Sequence, residues 1–321
     1  MRVVIAGATG VVGRQVVPLL VAAGHEVVAL SRRAGADTGK GAVRTVAVDA
    51  LDQAALGAAV RDAKPDAVVH LLTAIPAEIN PRRMERDFAL TNRLRTEATR
   101  TLIEAAYDAG AGRFLAQGLA YAYDPAPASA GPADEDAPFW RHPPKPFVTT
   151  LDALRTLERL TSAADGLVLR FGHLYGPGTA YDPAGGSTIR AIRARKMPVV
   201  GDGAATFSFT HTHDAATAVL AALAHPDAKG ALNIVDDTPT PARTWLPALA
   251  TLLSAPTPQK VPTLAARLAA GPWATAFLTQ LRGATNTRAK SLLTWTPRYP
   301  SWRDGFTAEL KAYAAGHNEV A

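Results

Sequence analysis

Val3-Val4-Ile5-Ala6-Gly7-Ala8-Thr9-Gly10-Val11-Val12-Gly13 opens with an apolar run and ends in a turn built on spaced glycines. The apolar run predicts a buried strand, and the residues from about Gly10 to Ala23 predict a helix. Passing from one to the other at once, with backbone N–H groups close to a pyrophosphate, requires glycine at the tight points. The helix then offers unpaired N–H groups and the positive end of its dipole to phosphate. A second apolar run, Glu26-Val27-Val28-Ala29-Leu30, stands where the next parallel strand belongs. Strand, glycine turn, helix and strand together predict a dinucleotide site, with Gly7, Thr9, Gly10, Val11, Val12 and Gly13 around the phosphates.

Further apolar runs at Val43 to Val48, Ala67 to Leu72, Arg113 to Gln117 and Leu167 to Arg170 alternate with helical stretches. That alternation predicts an α/β fold, a doubly wound parallel sheet of Rossmann type covered by helices on both faces. Residues 1–172 read as the dinucleotide-binding domain, with about 206–236 returning to it; 173–205 and 237–321 read as a smaller, mainly helical substrate lobe. Ala231 to Val235 reads as one more strand, and a helix is expected from about His213-Asp214 to Ala224. The long stretch Asp124 to Pro146, rich in proline, alanine and acid, is expected to lie as a lid over the site.

Composition narrows the class. Across 321 residues 48% are hydrophobic, so a sizeable core is expected. No run approaches the ~18 apolar residues of a membrane span, and the first residues read as a strand rather than a signal peptide. The absence of cysteine excludes disulfides and thiolate chemistry and fits a cytoplasmic protein. The net charge of +6 is scattered, without the concentrated basic patch or interleaved aromatics that nucleic acid needs. The histidines show no metal spacing, so no metal is expected.

With these pieces in order, the chain resembles the extended short-chain dehydrogenase/reductase superfamily, which includes the NAD-dependent epimerases and dehydratases. The resemblance rests on the glycine motif, Val69-His70-Leu71-Leu72-Thr73, Thr91-Asn92-Arg93, Leu169-Arg170-Phe171-Gly172-His173-Leu174-Tyr175-Gly176-Pro177-Gly178, Phe209-Thr210-His211-Thr212-His213-Asp214 and Trp295-Thr296-Pro297-Arg298-Tyr299. It implies a bound nicotinamide dinucleotide. Asp49 and Ala50 then stand near the adenine, Leu71, Leu72 and Thr73 near the adenosine ribose, Phe171 and Gly172 toward the nicotinamide, and Gln117 also among the cofactor-binding residues.

Cofactor choice is read at the end of the second strand. A carboxylate there accepts the ribose 2′-OH of NAD, but this chain has Ser31-Arg32-Arg33. Guanidinium groups pair with phosphate, so NADP(H) is expected, with Ser31, Arg32, Arg33 and Arg14 around its 2′-phosphate.

The chemistry of the superfamily breaks at its center. The resemblance implies a tyrosine and, four residues later, a lysine; counted from Glu158, those positions hold Thr150 and Leu154. Leu119 stands where the catalytic serine or threonine belongs, and Ala120 and Tyr121 replace the dehydratase acid and base. Two groups remain as proton donors: Tyr121, a buried phenol, and His173, an imidazole titrating near neutrality. Either could instead only line the pocket. Asn92 survives from the usual set, as a catalytic group or a brace. Tyr123 is expected to pack, His70 to be a satisfied core histidine, and Asp214 to cap its helix.

Three readings follow: an NADPH-dependent oxidoreductase of a small organic molecule with a non-standard proton donor, a redox-neutral isomerase, epimerase or cyclase, and an inactive nucleotide-sensing scaffold. Ile75 to Met84, Leu119 to Tyr123, His173 to Thr188 and Phe207 to His211 are expected to form an apolar, aromatic substrate pocket. The resemblance also implies a homodimer, through helices at Asp87 to Ala109 and Pro146 to Ala163.

Overall fold

The computed structural model describes residues 1–32, 42–125 and 130–318. In chain order its elements are β1 (Arg2–Ala6), α1 (Gly13–Ala22), β2 (Glu26–Ser31), β3 (Val43–Ala47), α2 (Gln53–Ala63), β4 (Ala67–His70), α3 (Met84–Arg93) and α4 (Thr99–Asp108). There follow β5 (Arg113–Leu119), α5 (Val148–Ala163), β6 (Leu167–Phe171), β7 (His173–Tyr175), α6 (Ser187–Arg193), β8 (Val199–Val200), β9 (Thr206–Phe207), β10 (Phe209–His211) and α7 (Thr212–Ala224). The last are β11 (Gly230–Ile234), β12 (Thr240–Pro241), α8 (Ala242–Leu252), β13 (Lys260–Val261), α9 (Thr263–Gln280), α10 (Thr287–Leu293) and α11 (Trp302–Asn318).

Seven parallel strands form the central sheet in the order β11-β6-β5-β4-β1-β2-β3. The chain winds outward from β1 through β2 and β3, then crosses back to β4. The gap between β1 and β4 is therefore the topological switch point, where α/β sheets take their ligands. Both faces are buried at β1, β2 and β4, which is why these strands read as apolar runs, whereas the edge strand β3 has no fully buried residue. Val3, Ile5 and Val69 meet α1 and α7 on one face; Val4, Ala6 and Val68 meet α2 and α4 on the other.

A third core is aromatic: Tyr175, Phe207, Phe209, Trp245, Trp302 and Phe306. It abuts a fourth built from Met84, Phe88, Leu119, Trp140, Phe147, Leu151 and Leu154, and Tyr121 packs against both. Tyr121 thus sits at the seam.

Several boundaries differ from the sequence reading for local reasons. The first helix begins at Gly13, because the Gly10 N–H bonds back to Gly7 O in a separate turn. The capping expectation for Asp214 is corrected: His211 is the N-cap and accepts from His213 N, while Asp214 holds the N–H groups of Arg298 and Tyr299. The expected lid is pinned where it is described. Glu135 accepts from Asn233 N, Arg170 donates to Glu135 O, and Ala133 bridges to Ala284.

Candidate active site

The phosphate turn has the shape a pyrophosphate needs. Gly7 has φ +98°, and a Cβ there would lie 2.8 Å from the Leu71 carbonyl carbon across the switch point. At Gly13 a Cβ would come within 2.2 Å of Gly7 O, so only glycine lets α1 start this close to the turn. Gly10 N–H goes to Gly7 O and Arg14 N–H to Gly10 O. The N–H groups between them, of Val11, Val12 and Gly13, have no partner among the described residues. The first turn of α1 holds no acidic residue and no side-chain cap, so its positive end faces the turn unopposed. These residues fit the phosphates of a dinucleotide.

The parallel register sets Ala6 beside Leu30, so Ser31, the last residue of β2, and Arg32 after it follow on the side of Gly7. Arg32 is exposed and Ser31 half-buried; Arg33 lies outside the described residues. Asp49, two residues past β3, accepts from Leu51 N, and Ala50 is buried beside it. Leu71 donates its N–H to Ala6 O, Leu72 is half-buried, and Thr73 is exposed. Two placements differ from expectation. Arg14 packs against the substrate side, since a Cβ on Gly178 would meet its Nη2 at 2.7 Å. Phe171 is wholly buried in the core, and its carbonyl accepts from Ala120 N, so it has no side chain to offer a cofactor. Gly172 is closed in by Ser208 O, and Gln117 is half-buried near the end of β5.

Past the ends of β5 and β6, Tyr121 and His173 lie ring on ring, with Phe277 edge-on to both and Phe207 against the imidazole. His173 Nδ1 lies 3.1 Å from Ser208 O, which accepts its proton and leaves Nε2 as a buried acceptor without a partner. Burial pushes the imidazole down to about 4. The expectation of an imidazole titrating near neutrality is therefore corrected: His173 is neutral at pH 7 because its surroundings are aromatic and hold no counter-charge. Burial raises the Tyr121 phenol, and the Arg95 guanidinium opposes that rise.

Helix α5 contains neither tyrosine nor lysine. Thr150 is fully buried and accepts from Asn92 Nδ2 at 3.4 Å, while Asn92 Oδ1 is buried and unpaired. Leu154 is fully buried in the apolar fourth core, where a lysine's charge would have no partner. Glu158 forms a bidentate pair with Arg170, at 2.8 and 2.7 Å, and serves the fold. Tyr123 joins it as expected of a packing residue, donating to Asn233 Oδ1 and accepting from Arg170. His70 is the satisfied core histidine: Nδ1 accepts from Leu72 N, and Nε2 lies 3.0 Å from Thr99 Oγ1.

Three site residues escaped the sequence reading. Trp273 and Phe277 come from α9, more than a hundred residues from Tyr121, and stack on one another at the aromatic wall. Arg95 sits in a π turn, Leu94–Ala98, that joins α3 to α4. Its spacing from Asn92 was the available signal, because a residue three along a helix shares its face.

A family model for the NAD dependent epimerase/dehydratase family matches residues 3–235. The chain belongs to that family. A 3-diazoavenalumate denitrifying reductase from a Streptomyces species is 46% identical over 317 residues, covering 96% of this chain and 100% of the relative. MoeE5, solved in complex with UDP-glucuronic acid and NAD, is 25% identical with a TM-score of 0.71, covering 98% of this chain and 100% of MoeE5. The human epimerase family protein SDR39U1, solved with NADPH, shares the fold at 20% identity and a TM-score of 0.72, over 97% and 99% of the two chains. Family membership and the reductase relative make this chain a short-chain dehydrogenase/reductase-like oxidoreductase with a nicotinamide dinucleotide cofactor.

Proposed function

We propose that the protein is an NADPH-dependent reductase that replaces the diazo group of a planar, acidic organic molecule with hydrogen, releasing dinitrogen. The observation that carries this reading is the full-length similarity to a reductase named for denitrifying a diazo-substituted carboxylate. That relative also favors a reductase over a redox-neutral enzyme or a scaffold.

The altered center supports the reading. Reducing a carbonyl puts hydride on carbon and a proton on oxygen, which is the task of a tyrosine and lysine. Substituting hydride for dinitrogen at a diazonium carbon breaks the C–N bond, forms a C–H bond and consumes no proton. Thr150 and Leu154 at the expected positions on α5 suit such a reaction. When bound, the reduced nicotinamide supplies the hydride. The chain holds and orients the reactants and excludes water. Tyr121, His173 and Phe277 offer a dry aromatic wall for a planar ring, and His173 Nε2 and Asn92 Oδ1 are acceptors without a proton to give.

The phosphorylated cofactor is inferred from Ser31 and Arg32 at the edge beside Gly7. A homodimer through α3, α4 and α5 is part of the same reading, supported by Leu90, Tyr107 and Val148, one large apolar side chain exposed on each. Light scattering should then give twice the chain mass.

The test is anaerobic incubation of the protein with NADPH and an aromatic diazonium acid such as 3-diazo-4-hydroxybenzoate. Oxidation of NADPH with matching release of dinitrogen, and deuterium from labelled NADPH on the former diazo carbon, is the expected result. Turnover of simple ketones without reaction of the diazo compound would overturn it.

A further inference from the structure

Arg113, Arg170 and Arg95 are the buried arginines of the described residues, and the terminal nitrogens of the first two have hydrogen-bond partners. Arg113 donates to the carbonyls of Ala222, His225, Pro226 and Ala228. Arg170 is paired with Glu158 and Tyr123. Arg95 is 2% exposed, yet its guanidinium has no carboxylate and no hydrogen bond among the described residues, and Nη1 is fully buried. A guanidinium stripped of water and left unpaired is among the costliest groups a fold can keep. Burial pulls its affinity for the proton down to about 10, and the charge is felt by Tyr121 on one side and His70 on the other.

We propose that Arg95 is the receptor for the substrate's carboxylate, holding it in a two-bond fork between the π turn and Tyr121. Carboxylate is the ligand whose planar pair of oxygens matches a guanidinium and supplies the missing negative charge. Asn92, three residues earlier in the chain, also has a buried Oδ1 without a partner. The assignment deepens the reductase reading by naming the group its substrate must carry.

The experiment is calorimetric binding to protein saturated with whichever of NADP⁺ or NAD⁺ it takes, using 2-naphthoate and its uncharged partner 2-naphthamide. The native protein should bind the carboxylate at least tenfold more tightly than the amide. Arg95→Met should erase the difference, leave dinucleotide affinity within threefold, and melt at a higher temperature than the native apoprotein, because the unpaired charge is gone. Arg95→Lys should keep part of the preference, which covers the case of a misfolded methionine variant. No preference in the native protein, an equal loss of dinucleotide and both probes, or a preference that survives Arg95→Met would overturn the assignment. Because no turnover is measured, the carboxylate preference can stand even if the diazo reaction fails, and the reverse.

Discussion

Tyr121 and His173 stack with ring centroids 4.4 Å apart and planes inclined by 23°. The stack fixes the phenol as part of a wall, and a wall needs the ring more than the hydroxyl. Tyr121→Phe should therefore keep the rate of diazo reduction within about threefold, while Tyr121→Ala should lower it by about tenfold to a hundredfold. Steady-state NADPH oxidation decides the matter: a loss of about 10²-fold or more in Tyr121→Phe would make the phenol a proton donor after all.

His173 should not titrate near neutrality. Its imidazole is held at about 4 by burial, so its ring proton resonances should stay fixed from pH 8 to pH 5.5. The sign for stability follows. An unfolded histidine takes up its proton near 6.5 while the folded one does not, so this group costs no stability above that value and an increasing amount as pH falls toward 4. His70, also lowered to about 4 by burial, adds in the same direction. His70→Gln should flatten the acid side of a denaturation-against-pH curve.

Arg32→Asp should reverse cofactor preference. Losing a charge-assisted bond and placing a carboxylate beside a 2′-phosphate should weaken NADPH by about tenfold to a hundredfold and improve NADH. Equal affinities before and after the change, at constant ionic strength, would remove Arg32 from the site.

Gly13→Ala should abolish nucleotide binding and lower the melting temperature, since its Cβ would stand 2.2 Å from Gly7 O. Gly10→Ala should be milder, with a closest approach of 3.2 Å to the same oxygen.

Glu158→Gln should cost about 3–5 kcal/mol in a denaturant titration, because it strands the buried Arg170 charge. Replacing both partners with apolar residues of similar volume should recover part of the loss.

The sheet was legible because buried parallel strands are apolar throughout, and the glycine turn because Gly7 and Gly13 permit no other residue. The short strands β7 to β10 were not, since two or three residues carry no period. The vacancy on α5 was visible by counting from Glu158. What replaced it was not: Phe277 and Trp273 reach the wall only through the tertiary path of α9, and a charged residue such as Arg95 reads as solvated until its burial is seen. The His173 error has the same origin, because an ionization constant is set by neighbors distant in sequence. The cap assigned to Asp214 failed because His211, three residues earlier, takes that place and accepts from His213 N.

The π turn Leu94–Ala98 acts as a phase offset. One residue more than an α-helix needs is absorbed between α3 and α4, and each residue turns a helix by ~100°. The half carrying Met84, Phe88 and Asn92 is thus aimed independently of the half carrying Leu102 and Ala105, which is locked to the sheet. Within such an architecture a single inserted or deleted residue could re-aim one wall of the cleft while leaving the core untouched, giving related chains a short route to different substrates.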